Sequence, residues 1–304
     1  MMLMAKSKAR VRHIAARDGF WAALFLAPNL LCFISFTIIP VVWAAVMSFT
    51  EWKIIGTPHW IGLENYREIF TQDEVFWQVL KNTLLFMASS VLIGVFVALM
   101  VAMLLNRNLA FKRVYRGFFF MPVIASTVLV SVVWKWLLVM DFGLVNYLLS
   151  LIGIRGPSWL TNPRFALPSI IAVSIWKSLG FNMLLFLAGL QSIPDTYYEA
   201  FRMDSESGLQ RTLHITMPML APTTFFVLTM AIINSFQVFD IVQMMTAGGP
   251  GRATSVLVQY LYQNAFKYFR MGYASALAYI LFLMVLIVTI VQFRFNNQKD
   301  FSIS

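Results

Sequence analysis

Four of the few acidic residues in this chain fall within one short segment, Ser192–Pro222. The segment carries Asp195, Glu199, Asp204 and Glu206 against only two cations, Arg202 and Arg211. Carboxylates presented together can pair with cations of another protein and fix its register and orientation. A helix lying on lipid headgroups is the alternative, but the negatively charged cytoplasmic leaflet disfavours an acidic surface. The pattern therefore favours a docking surface for a soluble partner that carries cations.

A second set of polar residues lies inside long apolar runs, where polar groups are costly and often functional. Its members are Lys177 and Asn182 in one run and Asn234, Gln237 and Asp240 in another. The last three are spaced three apart, which predicts a polar stripe along a helix. Such residues either line a hydrophilic pathway or hold helices together by hydrogen bonds, and both interpretations stay open. We expect Lys177 and Asp240 to pair with each other or to face the same wet cavity.

The residue combinations of an enzyme or a metal site are missing from the sequence. The apolar runs offer one aspartate, Asp240, and no histidine, which is too little for an intramembrane enzyme. There is a single cysteine, Cys32, and the three histidines, His13, His59 and His214, show no ligand spacing. The phosphate-binding pattern G-x-x-x-x-G-K-[ST] is also absent. We therefore expect no catalysis and no bound cofactor or metal on this chain.

The elements that must position these residues are membrane helices. Of the 304 residues, 60% are hydrophobic and 12% are charged, against about 45–50% and about 25% in a soluble domain. The net charge of +10 lies beside apolar runs rather than in a separate basic domain, which argues against nucleic-acid binding. Six runs reach the roughly 20 residues that a span needs: Phe20–Phe49, Leu84–Leu105, Phe118–Met140, Leu167–Gln191, Phe225–Met245 and Tyr273–Phe293.

The distribution of cations predicts the orientation of these spans. The first 19 residues hold five cations, and the connector 106–117 holds four with no acid. A cleaved signal peptide is disfavoured because the first apolar run is too long. The excess of Lys and Arg places both termini in the cytoplasm. We expect a cytoplasmic segment 1–19, one membrane domain 20–293 with a cytoplasmic loop 192–222, and a cytoplasmic tail 294–304.

The acidic loop itself is predicted to be helical. Ser192 can cap a helix, Pro194 is tolerated in a first turn, and Asp195 favours the positive end of the helix dipole. Gly208 marks a break before a second short helix over Leu209–Thr216, which Pro218 and Pro222 end. In the outer loop that follows the fifth predicted span, Gly248-Gly249-Pro250-Gly251 is interpreted as a helix stop and turn.

The same loop resembles the EAA signature of the permease subunits of ABC importers. That signature runs E-A-A, two residues, D-G-A, later a Phe, then I-x-x-P. It is matched here by Glu199-Ala200-Phe201-Arg202-Met203-Asp204 and the later Ile215-Thr216-Met217-Pro218. The chain departs from that order at Phe201, Ser205, Glu206 and Thr212. The run Leu187–Pro194, Trp176 with Gly180-Phe181-Asn182, the Gly248-Gly249-Pro250 turn and Gly62–Tyr66 are similar to carbohydrate permeases of the maltose and glycerol-3-phosphate type.

The resemblance implies an all-α membrane protein with six transmembrane helices and the type I ABC importer permease fold. It implies that the loop is a coupling helix received by a separate ATPase subunit, with these residues in contact: Glu199, Ala200, Phe201, Arg202, Met203, Asp204, Ser205, Gly208 and Pro218. It implies a substrate pathway between helices, to which Lys177, Asn182, Asn234, Gln237 and Asp240 would belong.

The implied partners are a homologous second permease, two ATP-binding subunits that hold ATP and Mg, an extracytoplasmic solute-binding protein, and the inner-membrane bilayer of a prokaryote. A sugar or oligosaccharide is the expected solute. Glycerol-3-phosphate or a glycerophosphodiester is the alternative, and an ion-coupled secondary transporter is a more distant one.

Overall fold

The computed structural model describes residues 23–107, 110–204 and 207–300. Nearly all of its regular structure is helical, with one short antiparallel pair of strands, β1 (Thr50–Glu51) and β2 (His59–Trp60). The helices in chain order are α1 (Ala23–Ser48), α2 (Glu64–Thr71), α3 (Glu74–Asn106), α4 (Lys112–Ile124), α5 (Thr127–Leu137), α6 (Leu144–Leu151), α7 (Pro163–Gln191), α8 (Asp195–Asp204), α9 (Gly208–Met219), α10 (Ala221–Phe236), α11 (Asp240–Met245), α12 (Leu257–Tyr262) and α13 (Met271–Asp300).

Four of the described helices, α1, α3, α7 and α13, are long and apolar enough to cross a membrane. Two further crossings are possible if each bent helix pair counts as one, since α4 and α5 meet at 99° and α9 and α10 at 69°. The predicted all-α membrane fold is therefore confirmed, and a total of six crossings is compatible with it.

The predicted third span, Phe118–Met140, is wrong as a single helix. Its backbone leaves the helix at Ala125, whose ψ is 142°, and a new helix begins at Thr127. Pro122 lies in the last turn of α4, where it removes one backbone donor.

The predicted fifth span, Phe225–Met245, is also interrupted. Helix α10 ends at Phe236 and α11 begins at Asp240, so that Gln237, Val238 and Phe239 are not helical. The interruption falls within the predicted polar stripe, whose regular helical spacing is thereby lost.

Prolines in the first span produce a local adjustment instead of a break. The turn Ile34–Ile38 is π-helical, and the amide of Ile39 donates to the carbonyl of Ile34. This wider turn directly precedes Pro40, which has no amide to donate. The helix lies against α13, where the Tyr279 hydroxyl donates to the Val41 carbonyl at 2.9 Å.

Helix α3 is the central helix of the fold. Its 33 residues extend about 50 Å. It packs along α7, and the two share a core with α10 that includes Ala98, Ala102, Met183, Phe186 and Val227, all of them fully buried. Near the other end of α3, Phe76 and Val79 pack against α12 and α13.

Glycines allow two close approaches of neighbouring elements to α7. A Cβ on Gly180 would lie 2.1 Å from the carbonyl oxygen of Phe119 in α4, and one on Gly189 would lie 2.5 Å from Oγ1 of Thr223 in α10. These contacts fix α4 and α10 against α7 at short range.

Candidate functional site: a helical loop and a broken polar helix

The acidic loop is a helix held between the ends of two longer helices. The predicted helix is present as α8 (Asp195–Asp204), between α7 and α9. On either side of it Ile193 and Leu220 are buried in the same core as Leu190 of α7 and Leu105 of α3. The loop is therefore anchored to the membrane domain at both of its ends.

Ser192 plays a different role from the predicted one. Its hydroxyl donates to the carbonyl of Gly189 at 2.7 Å, so it satisfies the last turn of α7 rather than the first turn of α8. Helix α8 begins one residue after Pro194, which suits the missing amide of proline at a helix start.

Helices α8 and α9 are joined through Tyr198. Its hydroxyl lies 3.3 Å from that of Thr216, and the guanidinium carbon of Arg211 lies 5.9 Å from its ring centroid. A cavity of about 540 Å³ opens between these side chains and the end of α3, where Asn106 and Arg107 line it. The α8–α9 unit thus has internal contacts of its own as well as anchors in the membrane domain.

The structure locates most of the predicted coupling residues. Glu199 is exposed on α8 and Phe201 is half-buried. Ala200, Arg202, Met203 and Asp204 lie on the same helix, whereas Ser205 lies outside the described residues. Gly208 is the first residue of α9 rather than the break itself, and the predicted second helix is longer than Leu209–Thr216.

Pro218 lies near the end of α9 and follows a π-helical turn, Thr212–Thr216. This wider turn accommodates a residue that has no amide to donate. The chain then bends into α10 at Leu220.

The predicted pathway residues divide into an exposed group and a buried one. Asn234, Gln237 and Asp240 are exposed at the interruption between α10 and α11, and Asp240 begins α11, where the helix dipole favours a negative charge. Asn182 is buried in α7 with 7% of its surface exposed. Irregular backbone at membrane depth is tolerated where it lines a cavity or is buried in protein. The exposed group therefore suits a wet pathway better than Asn182 does.

Lys177 does not pair with Asp240, so the pairing is wrong, while the alternative, that both residues face the same wet cavity, stays a prediction. Its Nζ donates to the carbonyl of Ala125 at 2.9 Å and to that of Pro122 at 3.2 Å. These are the carbonyls left without helical partners where α4 ends. The lysine therefore caps the break between α4 and α5 from the neighbouring helix α7.

Sequence reasoning missed a polar cluster around Asp73, at the start of α3. Asp73 Oδ1 accepts from the amides of Val75 and Phe76, and Oδ2 accepts from the hydroxyls of Tyr260, at 2.7 Å, and Tyr273. Burial and the bonded carboxylate raise the pKa of Tyr260 to about 12. An aspartate before a helical run is a readable N-cap signal, but its two tyrosine partners are distant in sequence.

An ion pair lies beside this cluster. Arg270 Nη2 is 2.5 Å from Glu68 Oε2, and its guanidinium carbon lies 4.2 Å from the ring centroid of Tyr273. Burial alone would lower the pKa of Arg270, but its hydrogen bond to Glu68 and the charge of that carboxylate raise it. Together these contacts tie α2 and the start of α3 to α12 and α13.

No group of three or more His, Cys, Asp or Glu side chains in the described part of the chain could hold a metal ion. The candidate site has two parts: an anchored helical loop near the Asn106 end of α3, and polar groups at a helix break.

Comparison with known proteins identifies the family. Residues 90–299 match the model described as "Binding-protein-dependent transport system inner membrane component". The chain belongs to this family of ABC transporter permeases, and it is accordingly an inner-membrane transport subunit.

Several relatives are similar over nearly their whole length. The chain is 37% identical over 285 residues to the probable ABC transporter permease protein YesP of Bacillus subtilis, covering 92% of each chain. It is 34% identical over 291 residues to the sulfoquinovosyl glycerol permease SmoG of Agrobacterium fabrum, covering 95% of this chain and 94% of SmoG. A subunit in the crystal structure of a bacterial ABC importer of the acidic polysaccharide alginate superposes with a TM-score of 0.83 and 25% identity, covering 95% and 99% of the two chains.

Proposed function

We propose that this chain forms part of the pathway by which an ABC importer moves a sugar or oligosaccharide into the cell. The observation that carries this proposal is α8, a short helix with an exposed Glu199, in a loop whose two ends are anchored to a membrane domain of the binding-protein-dependent family. The solute class is supported by relatives named for sugars, such as the arabinooligosaccharide permease AraP of Bacillus subtilis, which is 31% identical over 289 residues.

The energy for transport would come from a separate pair of ATP-binding subunits. Nothing in the sequence supplies a phosphate-binding loop, and the ATP and Mg of the cycle would be held by those subunits. Glu199 and Asp204 would face their cations, and a homologous second permease would complete the pathway. Both termini and the α8–α9 loop would lie in the cytoplasm, in agreement with the distribution of cations.

Solute would pass along the interruption between α10 and α11. Binding sites of membrane transporters often form at broken helices, where free backbone groups and polar side chains meet. Gln237 and Asp240 are exposed at this interruption, and both can hydrogen-bond to sugar hydroxyls. The chain would carry out no chemistry on the solute.

The test measures ATP hydrolysis by the intact assembly in lipid nanodiscs. The solute-binding protein is added to the assembly after it has been loaded with neutral oligosaccharides, acidic oligosaccharides or glycerol-3-phosphate. Stimulation by a saccharide supports the proposal, and stimulation by glycerol-3-phosphate alone would overturn the solute class. Uptake that continues without ATP but stops when the ion gradient collapses would overturn the mechanism.

The coupling role is tested with the double variant Glu199→Gln/Asp204→Asn. We expect it to insert normally but to lose the ATP-binding subunits or the link between hydrolysis and transport. The matched control is Glu64→Gln/Asp141→Asn, which removes two exposed acids from predicted outer loops. Normal transport by the first variant would contradict the role assigned to α8.

A further inference from the structure

The loop between α11 and α12 is more highly ordered than a simple helix stop requires. Thr246 and Thr254 bring their hydroxyls within 2.7 Å of each other, and Thr254 donates to the carbonyl of Gly249 at 2.7 Å. The buried Gln259 donates to the carbonyl of Ala247 at 2.9 Å, directly beneath Gly248, where a Cβ would lie 2.8 Å from that amide group. The side chains of the loop therefore fix its backbone in one conformation.

Arg252 carries two energetic costs in this loop. Its φ is +65°, in the left-handed region that L-residues other than glycine rarely adopt. Its Nη1 is buried and has no hydrogen-bond partner among the described residues, although buried donors are normally paired. A glycine at this position would remove both costs, so the arginine side chain needs an explanation outside the fold of the loop.

A small cavity of about 210 Å³ adjoins this side chain. It is lined by Gly248, Gly249, Arg252, Ser255, Lys267 and Tyr268, among others, and none of its lining residues is acidic. Arg252 is held in place by the ring of Tyr260, whose centroid lies 5.8 Å from its guanidinium carbon. Two cations, the phenol of Tyr268 and a glycine backbone around a small space make a site for one oxyanion, and the planar guanidinium matches a carboxylate.

The surroundings of the cavity indicate a protein partner. Tyr262, Phe266, Tyr268 and Phe269 follow one another closely in the chain, and each exposes 41% to 56% of its surface. Of these, Tyr268 lines the cavity together with Arg252, and aromatic residues and arginine are enriched at the energetic centres of protein interfaces. The carbonyl of Arg252 accepts from Asn82 near the start of α3, which places the cavity about 35 Å from the Asn106 end of that helix and from α8.

We propose that this cavity binds a carboxylate side chain of the solute-binding protein when that protein docks on the permease. The inference rests on the proposed function, because the docking protein is the one on which transport in this family depends. An acid on the docking protein pairs with the guanidinium of Arg252 at the cavity, and the exposed aromatic side chains supply apolar contact nearby. The pair also fixes the orientation in which the solute is delivered.

The experiment uses the variant Arg252→Gly in the intact assembly in nanodiscs. ATP hydrolysis is measured against the concentration of solute-binding protein loaded with a neutral solute. The variant keeps the left-handed backbone and removes the guanidinium, so we expect unchanged assembly and basal hydrolysis, and a thermal stability no lower than that of the wild type. The half-maximal concentration of binding protein should rise about tenfold or more, as for the loss of one charge-assisted hydrogen bond. Arg252→Lys should lose less, and the control Arg164→Gln, at an exposed cation of a predicted outer loop, should change nothing.

The possible outcomes separate this inference from the proposed function. If wild-type hydrolysis is not stimulated by any binding protein, the proposed function fails. If the wild type is stimulated and Arg252→Gly responds at the same concentration, the carboxylate site is overturned. If the variant loses its subunits, Arg252 serves assembly and the docking role is wrong. An effect seen only with acidic solutes would place the carboxylate on the solute and would also overturn the proposal.

Discussion

The cap that Lys177 places on the broken helix is the feature most easily tested by one substitution. Lys177→Met keeps the length and the apolar stem of the side chain but removes both hydrogen bonds, to Pro122 and Ala125. Each carbonyl is then left at a helix end inside an apolar run, where water is scarce.

Two opposing contributions determine how much Lys177→Met changes the free energy of unfolding. Hydrogen bonds to charged groups contribute about 1.5–3 kcal/mol, but side-chain hydrogen bonds in membrane proteins average only about 0.6 kcal/mol. Removing the ammonium also removes the cost of keeping it partly out of water. We therefore expect Lys177→Met to lower the free energy of unfolding by about 1–3 kcal/mol.

The assay is thermal unfolding of the purified assembly in nanodiscs, followed by tryptophan fluorescence, together with ATP hydrolysis against binding-protein concentration. Trp176 and Trp134 lie beside this region with their ring centroids 5.4 Å apart, so the fluorescence reports on it. The matched control is Lys135→Met, an exposed lysine in the last turn of α5. If Lys177→Met unfolds like this control but transports no solute, the lysine contacts solute or an ion, and the capping interpretation fails.

Three further predictions concern the close packing and the polar cluster. Gly180→Ala places a Cβ against the Phe119 carbonyl and should destabilise the assembly by about 1–3 kcal/mol, measured by thermal unfolding, and a neutral result would mean that α4 moves freely. Gly248→Ala meets the amide of Gln259 at a left-handed φ of +88° and should lose a similar amount in the same assay; unchanged stability would contradict the fixed loop. The raised pKa of Tyr260, about 12 when folded, means that its contribution to stability is present below pH 10 and is lost as pH rises from 10 to 12. Asp73→Asn should weaken this dependence in chemical unfolding at several pH values, and an identical pH profile would refute the coupling.

Local sequence signals predicted the elements that depend on composition and spacing. Apolar runs identified the continuous helices α1, α3, α7 and α13, because about 20 apolar residues in succession are the length and composition of a helix that crosses a membrane. The helical loop was predictable from Pro194, Asp195 and the good helix formers after them. These features act within one or two turns of a helix, so a linear pattern records them.

The breaks and the polar contacts could not be predicted in the same way. The end of α4 at Ile124 depends on a lysine from another helix, and the cluster at Asp73 depends on tyrosines that approach only in the folded chain. The pairing of Lys177 with Asp240 was inferred from depth alone. The depth of a residue in the membrane does not show that the carbonyls of Pro122 and Ala125 lie closer to Lys177 than the carboxylate of Asp240 does.

Under the proposed function, the arrangement of continuous and broken helices gives a route by which a force on α8 would reach the solute. Helix α7 continues without a break from Gln191, next to α8, to Lys177, which holds the bend between α4 and α5. Helix α10 extends for about 24 Å and ends directly before the interruption that carries the exposed Gln237 and leads to Asp240. Packed helices move as rigid bodies, whereas backbone breaks absorb changes in angle. A displacement of α8 would therefore change the structure at the two breaks, and one of these breaks carries the polar groups of the proposed pathway.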